Sequence, residues 1–175
     1  MLKLPKSWEA DPSREQLLSM LEASAQSLRE GGELRVPYLP FTEALKESLR
    51  FARRCGKMRG GLENIENLLQ REEAGYAKLA GRGLGGNRPQ GITRLLFVTD
   101  DGSDRFYRHC EALVARHAPR VLCVRLPVSS ADLGQSFFGK EASVKAVLVE
   151  EKEYVQRVLK SLLPSVAMGE KVPAV

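Results

Sequence analysis

The chain has 175 residues, 43% of them hydrophobic and 28% charged, which suits one domain with extensions better than two domains and is enough for a packed core. Lysine and arginine outnumber aspartate and glutamate 27 to 22, and the formal net charge of +5 favours anionic partners without naming one. There is no apolar run of about 18 residues, so no membrane span is expected, and the opening stretch MLKLPKSWEADP has no hydrophobic signal core.

In chain order, Asp11-Pro12 reads as an N-cap followed by a first-turn proline. Leu17, Leu18, Leu21 and Leu28 then form a helical stripe that ends at Gly31-Gly32. The prolines of VPYLP make that stretch an extended connector. Thr42 caps the next helix, whose apolar face is Leu45, Leu49 and Ala52 and whose stop is Gly56. A basic segment, RRCGKMRGG, leads straight into a helix carrying Leu62, Ile65, Leu68 and Leu69. Residues 75–91, GYAKLAGRGLGGNRPQG, are glycine-rich and basic and read as a long mobile loop.

Then come a buried strand (RLLFVTDD), a helix marked by Phe106, Cys110, Leu113, Val114 and His117, and a second strand (RVLCVRLP). A short helix capped by Ser129 or Ser130, a third strand (SVKAVLV) and a last helix with Tyr154, Val155, Val158, Leu159 and Leu162 follow, closed by Pro164. Strands alternating with helices indicate an α/β layered domain over residues 41–150, with an N-terminal helical extension over 1–40 and a C-terminal helix and tail over 151–175.

Most motifs with chemical potential have plain structural readings. The three cysteines, Cys55, Cys110 and Cys123, are odd in number and widely spaced, so a reducing compartment and small core side chains are expected. With His109 and His117 as the only histidines, ligand count and spacing fall short of a zinc site, and no metal is expected. GRGLGG satisfies G-x-G-x-x-G in letters, but it follows a helix and precedes a strand, so no dinucleotide cofactor is expected. The carboxylates of TDDGSD suit a strand-to-helix turn and cap. No nucleophile–base pair is visible, and catalysis is not expected.

The segment RFARRCGKMR differs, carrying Arg50, Arg53, Arg54, Lys57 and Arg59 with no acid. Just beyond it, Asn64, Asn67 and Arg71 fall at i, i+3 and i+7 on one helical face, opposite Leu62, Ile65 and Leu69. Amides and a guanidinium at a helix start can read base edges and phosphates, and the double glycine lets a nucleic-acid backbone approach. With no G-K-[ST] phosphate loop, this favours RNA over a small phosphate ligand.

The order of these elements resembles the superfamily of kink-turn-binding ribosomal proteins, which includes core proteins of box C/D and H/ACA particles and a ribonuclease P/MRP subunit. The likeness covers about residues 41–150, through the basic helix, the polar-faced helix, LLFVTDD, VLCVRLP, DLGQSFFG and VKAVLV. The resemblance implies a three-layer α-β-α sandwich with a small mixed sheet, in which residues 75–91 look like an insertion. The family's Gly-x-Asn-Glu-x-x-Lys motif falls with its glycine on Gly61, its Asn-Glu on Glu63-Asn64 in inverted order, and its lysine on Asn67. The second RNA loop of the family falls on residues 139–143, with Lys140 as its basic side chain.

Before and after this domain, WEADPSREQLLSML, EYVQRVLKSLLP and VAMGEKVP are similar to the ribonuclease P/MRP subunit of the thirty-eight-kilodalton type and its fungal counterparts. The resemblance implies a non-catalytic RNA-binding subunit in tRNA and rRNA precursor processing, in the nucleus and nucleolus, with a ribosomal or snoRNP core protein of the same superfamily, or a protein-interaction module of that fold, as the alternatives. Its partners would be a bent or kink-turn-like RNA and other protein subunits. Gly61, Glu63, Asn64, Asn67 and Arg71 would form the RNA-facing helix, Lys57 and Arg59 would meet phosphates, and Lys140 would serve the second loop. The apolar stripe on the last helix is expected either to complete the core or to dock a partner subunit, with the resemblance favouring docking.

Overall fold

The computed structural model describes residues 2–83 and 88–164. Its elements run α1 (Arg14–Ala23), β1 (Ala25–Ser27), β2 (Arg35–Pro37), α2 (Glu43–Arg54), β3 (Met58–Gly60), α3 (Leu62–Gly81), β4 (Arg94–Val98), α4 (Asp104–Arg116), β5 (Val121–Arg125), α5 (Ser130–Phe137), β6 (Ala146–Val149) and α6 (Lys152–Ser161). Three of these helices begin at a hydroxyl cap. Thr42, Ser103 and Ser129 accept from the backbone N–H of Leu45, Phe106 and Asp132.

One mixed sheet takes the order β3-β6-β4-β5. β4 and β5 are parallel, so a crossover must join them, and α4 supplies it. β6 runs antiparallel to both β3 and β4. Successive side chains on these strands alternate between two apolar layers. Leu95, Phe97, Val147 and Val149 pack with residues of α1, α2, α5 and α6. Leu96, Val98, Ala146 and Leu148 pack with residues of α3 and α4. The chain is thus a three-layer α-β-α sandwich with a small mixed sheet. Strands covered on both sides explain the unbroken apolar runs of LLFV and AVLV.

Four expectations need correction. First, the α1 stripe stops before Leu28. The Ser24 hydroxyl donates to Met20 O at 2.8 Å, a local bond that competes with further helix, and Leu28 N donates to Leu34 O within the β1–β2 hairpin. Second, RCGKMRG contains a strand, β3, whose three residues are too few to show a period.

Third, residues 75–91 are not a loop throughout, because α3 continues through Gly75 to Gly81. Glu72 and Glu73 tie this half of the helix to Arg88, Arg94 and Arg120, and such anchoring overrides the low helix propensity of glycine. Residues 84–87, with the end of GRGLGG, lie outside the described residues. Fourth, the apolar stripe of the last helix packs into the main core. Trp8, Leu17 and Leu21 share one core cluster with Leu95, Phe97, Val155, Val158 and Leu159, all fully buried. The stripe of α6 is therefore core and not a free docking face. The tail VAMGEKVP lies outside the described residues.

Candidate nucleic-acid interface

The junction between β3 and α3 is built around two glycines. Gly61 sits at φ 92°, a left-handed region that side chains other than glycine adopt with strain, and its N–H donates to Ala146 O at 2.9 Å. The Asn64 side-chain amide donates to Gly60 O at 3.0 Å, holding the first turn against the end of β3. Beyond it, Glu63, Asn64, Asn67 and Arg71 are exposed, while Ile65 and Leu69 are fully buried. The expected division of α3 into a polar face and a core face is present.

The segment at 139–143 follows Phe138, which meets this junction. A Cβ on Gly60 would stand 2.7 Å from Cζ of Phe138, so the Phe138 ring closes directly over the glycine. Gly134 of α5 lies equally close to the segment, since a Cβ there would stand 2.3 Å from Ala142 O. Gly139 takes φ 120°, and Lys140 is exposed. Arg53 at the end of α2 stacks its guanidinium 4.8 Å from the Phe138 ring centroid. The fold therefore brings Phe138, with the Arg53 guanidinium on its ring, against the Gly60–Gly61 junction, and Lys140 follows two residues later in the chain. Arg53 and Phe138 were both visible, in RRCGK and SFFG, but nothing in the sequence links them across the intervening residues.

Lys57 and Arg59 have a different setting from the acid-free one expected. Register places Met58 opposite Val149, which brings the two acids after β6 alongside the cations flanking Met58. Lys57 pairs with Glu151, and Arg59 Nε meets Glu150 Oε2 at 2.8 Å. The Glu151 carboxylate raises the Lys57 ammonium above its ordinary pKa. A phosphate reaching either cation competes with a carboxylate already there. Among the described residues, Arg53, Arg54, Arg71 and Lys140 have no such partner.

The remaining candidates are occupied structurally. Asp100 binds Arg125 and the Tyr38 hydroxyl, Asp101 accepts from the Ser130 N–H and hydroxyl, and Asp104 pairs with Arg108. Cys110 and Cys123 are buried, burial pushes the Cys110 thiol up to about 12, and Cys55 is exposed. Among the described residues no cluster of three or more His, Cys, Asp or Glu side chains is placed to hold a metal ion. No helix there is long and apolar enough to cross a membrane.

No protein-family model matches the chain, and no curated protein matches it. Among solved structures, one with a similar trace is described as a protein with unknown function from Bacillus halodurans C. It is 12% identical, with a TM-score of 0.47 over 69% of this chain and 96% of that one, a likeness that carries no functional argument.

Proposed function

We propose that the chain is a non-catalytic RNA-binding subunit of a ribonucleoprotein, and that it grips a bent, kink-turn-like RNA at the corner between β3 and α3. The observation that carries this reading is the meeting of two segments distant in sequence. The Gly60-Gly61 junction, with the exposed amides of Asn64 and Asn67, lies against Phe138, two residues before the exposed Lys140. An RNA bent at this corner would touch both, its bases toward the amides and its phosphates toward Lys140, Arg53 and Arg54. Ribonuclease P/MRP, in the nucleus and nucleolus, is the finer form of the proposal and rests on the sequence likeness alone. With Val155, Val158 and Leu159 buried, protein partners of that assembly would be met on other surfaces.

A second reading has its own support. The pairing of Lys57 and Arg59 with Glu151 and Glu150 weakens the phosphate-facing charge, which favours a protein-interaction module of the same fold. Affinity for a kink-turn RNA against a straight duplex of equal length separates the two. The parent protein is expected to prefer the bent RNA, and Asn64→Ala with Asn67→Ala to lose about 1–3 kcal/mol per base-edge contact. Equal affinity of parent and double variant for the bent RNA overturns the assignment of this face.

A further inference from the structure

The polar face of α3 does not end at Arg71. At 3.6 residues per turn, Asn64, Asn67, Arg71, Gly75, Lys78 and Arg82 all fall within an arc of about 80°, and the row extends about 27 Å along the helix axis. Each of the six is exposed. The acids of the same helix beyond its first turn are committed elsewhere. Glu66 meets His109 and Arg116, Glu72 meets Arg94 and Arg120, and Glu73 meets Arg88, Arg120 and His117.

Among the described residues, Arg71, Lys78 and Arg82 are left with no carboxylate partner. Three guanidiniums against two carboxylates in the Glu72–Glu73 cluster add positive potential behind the row. Midway along it, a Cβ on Gly75 would meet nothing within 4 Å, so the surface between Arg71 and Lys78 is open to close approach.

A linear row of cations with no apolar side chain suits a phosphate backbone. Its apolar neighbours are Tyr76 and Leu79, which with Glu72 line a shallow hollow beside Gly75, Lys78 and Arg82. Leu79, which is 40% exposed, lies about 40° outside the arc. The row also begins at the amides proposed to meet the bent RNA. We infer that the distal half of α3 is a second, sequence-independent contact surface that tracks the phosphates of a stem flanking the bent element. This inference rests on the RNA reading above and extends it to a part of the helix that reading does not need.

The test uses the full chain and two RNAs, a minimal kink-turn element and the same element with one stem lengthened by about one helical turn. Affinity is titrated over a range of salt concentrations. The parent is expected to bind the longer RNA more tightly, with a steeper salt dependence. Lys78→Gln with Arg82→Gln should reduce the slope of log affinity against log salt by about two on the longer RNA only, whatever the stem sequence. Both side chains are exposed, so folding should be unaffected, and circular dichroism checks this.

Equal salt slopes of the parent on the two RNAs, or a variant matching the parent on the longer one, overturn the inference while leaving the bent-RNA site standing. A parent that binds neither RNA better than a straight duplex overturns both readings. Loss of binding to polyglutamate in place of the longer RNA reassigns the row to an acidic protein partner and also overturns it.

Discussion

The two halves of α3 are held by different physics. From Leu62 to Leu69 the helix is anchored by Ile65, Leu68 and Leu69 in the layer shared with α4 and the sheet. From Arg71 onward no residue of the helix is buried, and Tyr76 is half-buried with the Arg120 guanidinium 5.2 Å from its ring centroid. Anchorage there falls to Glu72 and Glu73, which meet Arg94 at 2.6 Å and Arg88 at 2.7 Å, and to Arg120, which is fully buried. Apolar burial is tolerant of detail and scales with area. A buried ion cluster tolerates little, because removing one sign strands the other. The first half is therefore expected to respond to volume and the second to charge.

The largest effect is expected where charge enters the apolar layers. Val158→Asp with Leu159→Asp places two carboxylates in the core that α6 shares with β4, and the isolated protein should lose more than about 5 kcal/mol and fail to fold. Near-native urea denaturation of that variant would return α6 to the role of a docking helix. Next in size is Glu72→Ala with Glu73→Ala, which leaves Arg120 buried without a counter-charge and should cost about 3–5 kcal/mol. Hydrogen exchange should show the loss concentrated in residues 71–81. A loss spread evenly over the sheet would mean that the two halves are not distinct.

Acid should act on the distal half through the same cluster. Hydrogen bonding from Arg88, opposed by partial burial, holds the Glu73 carboxyl at about 2, below its ordinary 4.5. A carboxyl lowered on folding contributes stability that is complete above its unfolded value. That contribution should fade as pH falls from about 4.5 through about 2, and Glu73→Gln should flatten this part of the stability curve. An unchanged acid limb in the variant would remove Glu73 from the account. The smallest effect is expected from Asn64→Ala with Asn67→Ala: Asn67 should shift stability by no more than about 0.5 kcal/mol, and Asn64 by about 1 kcal/mol, because its amide donates to Gly60 O.

The same contrast explains what was legible in the sequence. Periodic apolar residues, hydroxyl caps and continuous apolar strands mark α2, α4, β4, β5 and β6 locally, and each of those elements is present. Apolar spacing also marks the first half of α3. The second half depends on Arg88, Arg94 and Arg120, which follow Glu73 by 15 to 47 residues, so no local window contains the reason for its helicity. Gly75 and Gly81 point locally the other way, toward a loop. The site shows a similar division. The polar face of Asn64, Asn67 and Arg71 follows from helical spacing, whereas the pairing of Lys57 and Arg59 with Glu151 and Glu150 depends on β3 lying antiparallel to β6. Three residues with one clear apolar position, Met58, give too little pattern to foresee that strand.

In the proposed reading, structured RNA lies along the exposed face of α3 and against the corner at Gly61. Photo-crosslinking of the full chain to a kink-turn RNA with an extended stem, followed by peptide mapping, is the decisive experiment. Crosslinks are expected in Arg53–Arg54, in the exposed positions from Asn64 to Arg82 and in Gly139–Ser143, all reduced by raising the salt concentration. Crosslinks confined to α1, α6 or the β1–β2 hairpin, or none above those given by a straight duplex, would contradict it.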